Sequence, residues 1–212
     1  MRSFDIAQDK FPIDDCRWSN SRLCETANRT TRTVFLDRDG TINEEVIYLS
    51  NLEQFRLLPG AGEAIRLLNQ RRWRVIVITN QSGLGRGYFT EEELALVHQR
   101  MRAALDREGA HIDAIYVCPH QPEDGCPCRK PGTALFERAA QEFDIDLSKS
   151  YAIGDKMTDL LPGACLGCRT VLILTGHGQE QLENKDEWET EPDYVASDLL
   201  SAAQWILAET ET

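Results

Sequence analysis

No stretch of this 212-residue sequence approaches the roughly 20 consecutive apolar residues that a membrane-spanning helix needs. The longest apolar runs, around 75–78 and 171–174, are only as long as a strand. The first 30 residues are mixed and polar, and they lack the apolar segment of a secretory signal. We therefore predict a soluble, cytoplasmic protein that does not bind membranes.

Positive charge is also scarce, because 23 lysines and arginines stand against 35 aspartates and glutamates. The net charge of −12 repels nucleic acid and anionic lipid over the Debye length, so we expect neither as a partner. Internal repeats and low-complexity tracts are absent too. With 42% hydrophobic residues, the chain can bury one substantial core, and a monomer is the expected state.

The chain divides into a short extension and one domain. Residues 1–31, which contain Cys16 and Cys24, show neither helical nor alternating periodicity, so we predict a disordered extension followed by a single domain over 32–212. From residue 33, the strand-like runs TVFL, VIVIT, AIYVC, YAIG and TVLIL alternate with helical segments. Thr90 and Glu93 form a capping box at the start of the longest helix. The alternation predicts an α/β fold: a doubly wound, mainly parallel sheet with helices on both faces.

Two carboxylates follow the first predicted strand directly. Asp37 and Asp39 are separated by one residue, and Gly40 allows the backbone to turn sharply after them. Ligands bind at the carboxyl edge of open parallel sheets, so both side chains can reach one small volume there. A D-x-D-G sequence is also a common turn, and the pair alone leaves that alternative open.

Three further elements follow predicted strands or precede helices. Thr79, Asn80, Gln81 and Ser82 end the second strand and offer hydroxyl, amide and backbone donors to an anion. Arg129 and Lys130 precede a helix, and Asp155 follows a strand with Asp159 four residues later. Each element alone also fits a helix cap, a turn or a solvated surface residue. Their joint occurrence at strand ends favours a common site.

Taken together, these motifs resemble the haloacid dehalogenase superfamily of phosphotransferases over residues 33–175. The resemblance implies a Mg²⁺-dependent phosphatase in which Asp37 attacks phosphorus and Asp39 acts as acid and then base. Asp37, Asp155 and the backbone carbonyl of Asp39 would bind Mg²⁺, and Asp159 would orient the site. Thr79 and Lys130 would hold the phosphoryl oxygens. About 17 residues separate Thr41 from Pro59, too few for a large cap domain.

A second cluster combines Cys118, His120, Cys126 and Cys128, which match the Cys₃His set of structural zinc sites. We predict a zinc-binding loop here, the alternative being ordinary loop residues. Cys165 and Cys168 are expected to pack as small buried thiols. The remaining histidines, His98, His111 and His177, are expected in surface or loop positions rather than in catalysis.

Within the superfamily, the motifs resemble phosphatases that act on a small phosphorylated sugar, a heptose bisphosphate. That resemblance implies substrate contacts from Arg129, Lys156 and the segment Glu45, Val46, Ile47 and Tyr48, beside Asn80, Gln81 and Ser82. The short spacer between His120 and Cys126 instead favours histidinol phosphate as the substrate. An alternative of another class is a non-catalytic, zinc-stabilised module that binds a phosphorylated ligand. The second carboxylate, Asp39, argues against that module, because binding alone does not require it.

Overall fold

The computed structural model describes residues 32–188 and 190–210. The predicted extension over 1–31, with Cys16 and Cys24, lies outside these residues. In the part of the chain that the structure describes, six parallel strands form one sheet in the order β3-β2-β1-β4-β5-β6. The strands are β1 (Thr33–Leu36), β2 (Arg74–Asn80), β3 (Ala114–Cys118), β4 (Tyr151–Gly154), β5 (Arg169–Ile173) and β6 (Tyr194–Ala196). The predicted parallel sheet is confirmed, and the three-residue β6 is an addition to it.

Seven helices accompany the strands among the described residues. They are α1 (Ala61–Gln70), α2 (Ser82–Gly85), α3 (Glu91–Arg107), α4 (Ala134–Phe143), α5 (Met157–Cys165), α6 (Gly178–Glu183) and α7 (Leu199–Thr210). The predicted capping box starts α3, since the side chain of Thr90 accepts from the backbone N–H of Glu93, and the Glu93 carboxylate accepts from that of Thr90.

Alternating side chains of β1 pack on opposite faces of the sheet. Val34 and Leu36 belong to the core cluster that includes residues of α1, α3 and α7. Phe35 belongs to a second cluster, and its ring lies 4.8 Å from that of Phe136 on α4. A strand buried on both faces needs helices on both, so the doubly wound arrangement is confirmed.

The strand order reverses between β1 and β4. These two strands are neighbours, but the chain continues from β1 to β2 on one side and from β4 to β5 on the other. Such a switch point opens a crevice at the carboxyl ends of the two strands. The fold therefore places its natural ligand crevice where Asp37 and Asp155 follow β1 and β4.

The segment between β1 and α1 is short and leaves this crevice uncovered by a separate domain. Its one helical turn among the described residues is the 3-10 turn Leu52–Gln54, and residue 43 forms isolated bridges with residues 39 and 57. The predicted lack of a large cap domain is confirmed. No helix in the described ranges is both long and apolar enough to cross a membrane.

Candidate active site and metal centres

Three carboxylates meet at the switch point. Asp37 follows β1, Asp155 follows β4, and Asp159 lies on the first turn of α5. Each offers a carboxylate oxygen, and the three oxygens lie within 4.8 Å of one another. All three residues are buried, with exposures of 8%, 0% and 6%. Like charges packed this closely and shielded from water require a cation among them.

Lys130 supplies one such cation. Its buried Nζ lies 2.6 Å from Oδ1 of Asp37 and 2.8 Å from Oδ1 of Asp159, and it also donates to the carbonyl of Ile78. Burial opposes the lysine charge, but the two carboxylates outweigh it and raise the pKa of Lys130. The sequence prediction that Lys130 belongs to the site agrees with this placement.

One lysine does not balance three carboxylates. Burial is the main reason that the pKa of Asp37 rises to about 7, although Lys130 works against it. Burial and the charge of Asp159 raise the pKa of Asp155 to about 8. The ionised forms of both groups therefore call for a further positive charge.

Asp155 has an oxygen ready for that charge. Its Oδ2 accepts a hydrogen bond from the backbone N–H of His177, but its Oδ1 is buried and has no hydrogen-bond partner among the described residues. A buried carboxylate oxygen without a donor is costly unless a cation binds it. Gly40 makes room for this side chain, because a Cβ there would lie 2.3 Å from Oδ2 of Asp155. The donor set fits a hard divalent cation that prefers oxygen ligands.

Asp39 has many hydrogen-bond donors around its carboxylate, unlike Asp37 and Asp155. The guanidinium of Arg38 donates to both of its oxygens, the amide of Asn43 donates to Oδ1, and the amide of Gln81 donates to Oδ2. Burial disfavours the charge of Asp39, but Arg38 and the amide donors prevail and hold its pKa below the ordinary range. Asp39 is therefore ionised at neutral pH. Neither Arg38, which lies within the D-x-D-G sequence, nor Asn43 was predicted from the sequence as a partner of Asp39.

The polar residues at the end of β2 and just after it bond to Asp39 and to the backbone of Lys130. The amide of Gln81 also donates to Oγ1 of Thr79, at 2.8 Å. The amide of Asn80 pairs with the backbone of Lys130 in both directions, at 3.0 and 3.1 Å. Ser82 begins α2. The substrate-binding roles predicted for Asn80, Gln81 and Ser82 stay predictions.

A cavity of about 400 Å³ opens above these groups. Its lining contains eight predicted site residues, Asp37, Asp39, Glu45, Thr79, Asn80, Arg129, Lys130 and Lys156, together with Asp159, Pro122 and Thr158. Lys156 extends over the mouth and pairs with Glu45, its Nζ 3.1 Å from Oε2. A wider groove of about 730 Å³ lies beside α3, but none of the predicted site residues lines it. The smaller cavity is therefore the candidate substrate site.

The segment predicted to contact substrate divides into two parts. Glu45 lines the cavity, whereas Ile47 is 82% exposed and Val46 packs against the core. The ring of Tyr48 lies edge-on to that of Tyr88, with centroids 4.7 Å apart. The structure thus brings Glu45 to the carboxylates and leaves Val46, Ile47 and Tyr48 outside the cavity lining.

The cysteine–histidine cluster forms a second candidate metal centre. The sulfur atoms of Cys118, Cys126 and Cys128 lie 3.3, 3.3 and 3.6 Å apart, and all three thiols are free. Nδ1 of His120 lies 3.2 Å from the sulfur of Cys128 and 3.7 Å from that of Cys118. Four ligands in a tetrahedron around zinc stand roughly 3.5–3.8 Å apart. The cluster fits such an ion.

Two expectations for the other cysteines and histidines need correction. Cys168 is buried as predicted, but Cys165 is exposed because it ends α5 on the solvent side. His98 is half-buried rather than on the surface, and its Nε2 lies 3.1 Å from Nη1 of Arg38. Local sequence patterns could not indicate the contact between His98 and Arg38, because sixty residues separate them.

Known proteins share this architecture and sequence. The HAD-hydrolase-like family model matches residues 127–202. The D-glycero-D-manno-heptose-1,7-bisphosphate 7-phosphatase of Thermosynechococcus vestitus is 40% identical over 184 residues, which cover 82% of this chain and 94% of that protein. This chain belongs to the heptose-1,7-bisphosphate 7-phosphatase family of haloacid dehalogenase-like hydrolases. The predicted superfamily resemblance is confirmed.

Solved structures of the heptose-bisphosphate phosphatases extend the comparison. The Bordetella bronchiseptica enzyme, crystallised with magnesium and phosphate, superposes with a TM-score of 0.80 at 38% identity and covers 84% of this chain and 99% of that one. The Burkholderia thailandensis enzyme gives a TM-score of 0.66 at 34% identity, with 84% and 99% covered. The shared fold and the phosphatase class are thereby supported at both the sequence and the structural level.

Proposed function

We propose that this chain removes the C7 phosphate of D-glycero-D-manno-heptose 1,7-bisphosphate, in the synthesis of nucleotide-activated heptose for lipopolysaccharide or a related surface glycan. The observation that carries the proposal is the buried carboxylate cluster bridged by Lys130, with the unpartnered Oδ1 of Asp155. The family membership supplies the substrate. A cytoplasmic, monomeric enzyme without nucleic-acid or membrane partners stays our prediction.

The resident cation of the carboxylate cluster is proposed to be Mg²⁺. Asp37 and Asp155 would hold it, with the backbone carbonyl of Asp39 as a predicted third ligand. When bound, it neutralises charge on the phosphate and on the carboxylates. Support comes from the oxygen-only donor set in this chain and from the magnesium in the B. bronchiseptica relative.

Asp37 is the proposed nucleophile. Its carboxylate oxygen forms a bond to phosphorus while the bond from phosphorus to the sugar oxygen breaks, giving an aspartyl phosphate. Lys130 lies 2.6 Å from Oδ1 of Asp37, where it can neutralise the incoming phosphoryl group. Thr79, which lines the same cavity, would hold another phosphoryl oxygen.

Asp39 is proposed to move the protons. It gives one proton to the departing sugar oxygen, and it then takes one from the water that attacks the aspartyl phosphate. Its lowered pKa leaves it ionised in the free enzyme, which is the form that activates water. The proton for the first step must then be taken up with the substrate, whose phosphate dianion raises the pKa of a neighbouring acid.

The Cys₃His cluster is proposed to hold a structural Zn²⁺. Cys128 lies two residues before Lys130, and Arg129 donates to the carbonyl of His120. An ion here would tie the loop that carries Lys130 and Arg129 into the cavity wall. Metal analysis of the purified protein should give about one zinc per chain, and Cys128→Ser should lower that content while Cys168→Ala should not.

The test of the proposed substrate is phosphate release with Mg²⁺ from heptose 1,7-bisphosphate and from histidinol phosphate at matched concentrations. We expect a clear preference for the bisphosphate, with phosphate lost from C7. Preference for histidinol phosphate would overturn the substrate while keeping the chemistry. Release from neither substrate would favour the alternative of a non-catalytic module that binds a phosphorylated ligand.

A further inference from the structure

Arg38 is a charged side chain buried at the base of the active site, and no role for it was predicted from the sequence. Within residues 32–188 and 190–210 it is the largest side chain that is fully buried, with an exposure of 0%. A buried guanidinium is costly unless its donors and its charge are matched. Its Nε and Nη2 donate to the carboxylate of Asp39 over 2.8–3.1 Å. One side of the guanidinium is therefore satisfied by the proposed acid and base.

The other side of the guanidinium contacts His98. Nη1 of Arg38 lies 3.1 Å from Nε2 of His98. Arginine has donors only and keeps its proton in proteins, so Nε2 must be the acceptor and the imidazole must be neutral with its proton on Nδ1. Burial, with Arg38 and Arg102, holds the pKa of His98 at about 4, although Asp39 opposes this, which agrees with a neutral ring.

His98 belongs to a well-anchored element. It lies on α3, next to Val97 and one turn before Met101, and both of these residues are fully buried in the core. The helix also begins with a complete capping box. The core thus fixes the position of His98. His98 in turn orients Arg38 through Nη1, and Arg38 orients the carboxylate of Asp39.

The geometry points to Arg38 and His98 as positioning residues that hold Asp39 in the orientation needed to protonate the leaving oxygen. The inference rests on the proposed function, in which Asp39 moves the protons. Without the acceptor on His98, Nη1 becomes a buried unsatisfied donor, and the guanidinium must shift to find another partner. Displacing a catalytic group by about 1 Å can cost up to roughly 10²-fold in rate.

A purely structural role predicts a different result. Loss of stability or of general packing would slow all substrates alike. A misplaced Asp39 would slow formation of the aspartyl phosphate, the step that kcat/KM reports, only for substrates whose leaving group needs a proton. A sugar phosphate releases a basic alkoxide that requires protonation, whereas 4-nitrophenyl phosphate releases a weakly basic phenolate that leaves without it. The ratio of the two kcat/KM values therefore separates a positioning role from a purely structural one.

The experiment compares His98→Leu with His98→Gln, using heptose 1,7-bisphosphate and 4-nitrophenyl phosphate with Mg²⁺. In His98→Leu, kcat/KM for the sugar phosphate should fall about tenfold or more, while kcat/KM for the aryl ester, which does not include hydrolysis of the aspartyl phosphate, should stay within about twofold of wild type. His98→Gln keeps an acceptor for Nη1 and should recover most of the sugar phosphate rate. Arg38→Lys keeps the charge but loses the forked N–H donors of the guanidinium. It should show the same loss, confined to the sugar phosphate.

Equal losses on both substrates, or no loss on either, would overturn the positioning role. Circular dichroism and melting temperature establish that each variant is folded, and His98→Met replaces His98→Leu if the latter does not fold. If wild type does not hydrolyse the bisphosphate, the proposed function has failed. In that case histidinol phosphate, which is also an alkyl ester, replaces the bisphosphate in the comparison with 4-nitrophenyl phosphate.

Discussion

The two sides of the active site shift the pKa values of their aspartates in opposite directions. Asp37 and Asp155 are buried with too few donors, and their pKa values rise to about 7 and 8. Asp39, two residues after Asp37, is surrounded by donors that lower its pKa. Environments that push the pKa values of carboxylates apart separate their roles. The side with Asp37 and Asp155, here called the under-partnered side, is suited to binding a cation and a phosphoryl group. The side with Asp39, here called the saturated side, is suited to proton transfer.

The largest expected effect comes from the under-partnered side. Asp37→Asn keeps the shape of the side chain but removes the nucleophile and one negative charge. We expect turnover to fall by about 10⁴-fold or more on sugar and aryl phosphates alike, because both need the nucleophile. Steady-state phosphate release measures this, and the melting temperature confirms folding. Substantial residual activity would remove Asp37 from the role assigned to it.

Magnesium should stabilise the protein more at high pH than at low pH. In the folded, metal-free protein, the carboxyls of Asp37 and Asp155 titrate near 7 and 8 instead of 3.8, so the native state binds more protons than the unfolded state between these values. The free energy of unfolding therefore falls as pH rises from about 4 to 8. Asp39 acts in the opposite sense, because its lowered pKa adds stability above pH 3.8 that is lost as pH falls.

Thermal melts with EDTA or with excess Mg²⁺ measure this coupling. At pH 8, saturation at about 100 times Kd should raise Tm by roughly 5–10 °C, and the gain should shrink at pH 5.5, where protons compete for the carboxylates. Asp155→Asn should lose the gain at both pH values. A Tm gain that is independent of pH would contradict the account of the under-partnered side.

A smaller effect is expected when the saturated side loses one donor. Gln81→Leu removes the amide that joins Oδ2 of Asp39 to Thr79, at 2.9 and 2.8 Å. We expect kcat for the sugar phosphate to fall about tenfold with little change in KM, because the remaining donors still hold Asp39. The matched control is Gln141→Leu, the same change at an exposed position of α4 outside the cavity lining. A change in KM alone would instead assign Gln81 to substrate binding, as the sequence suggested.

The sequence located the site because parallel strands end at one edge of a sheet. Asp37 and Asp155 each follow a strand and Thr79 lies near the end of β2, so their meeting could be predicted once the strands were recognised. The partners of each carboxylate could not be predicted. Arg38 reaches Asp39 by folding back along its own chain, and His98 reaches Arg38 from a helix sixty residues away. Such contacts depend on side-chain packing, which local patterns do not encode.

The central claim is the division of labour between Asp37 and Asp39, and Asp39→Asn with 4-nitrophenyl phosphate tests it most directly. The aryl group leaves without an acid, but hydrolysis of the aspartyl phosphate still needs the base. The account predicts a burst of about one nitrophenolate per chain, followed by slow turnover. After rapid quenching and borohydride reduction, mass spectrometry should find the modification at residue 37. Steady turnover without a burst, or a phosphoryl group on another residue, would contradict it.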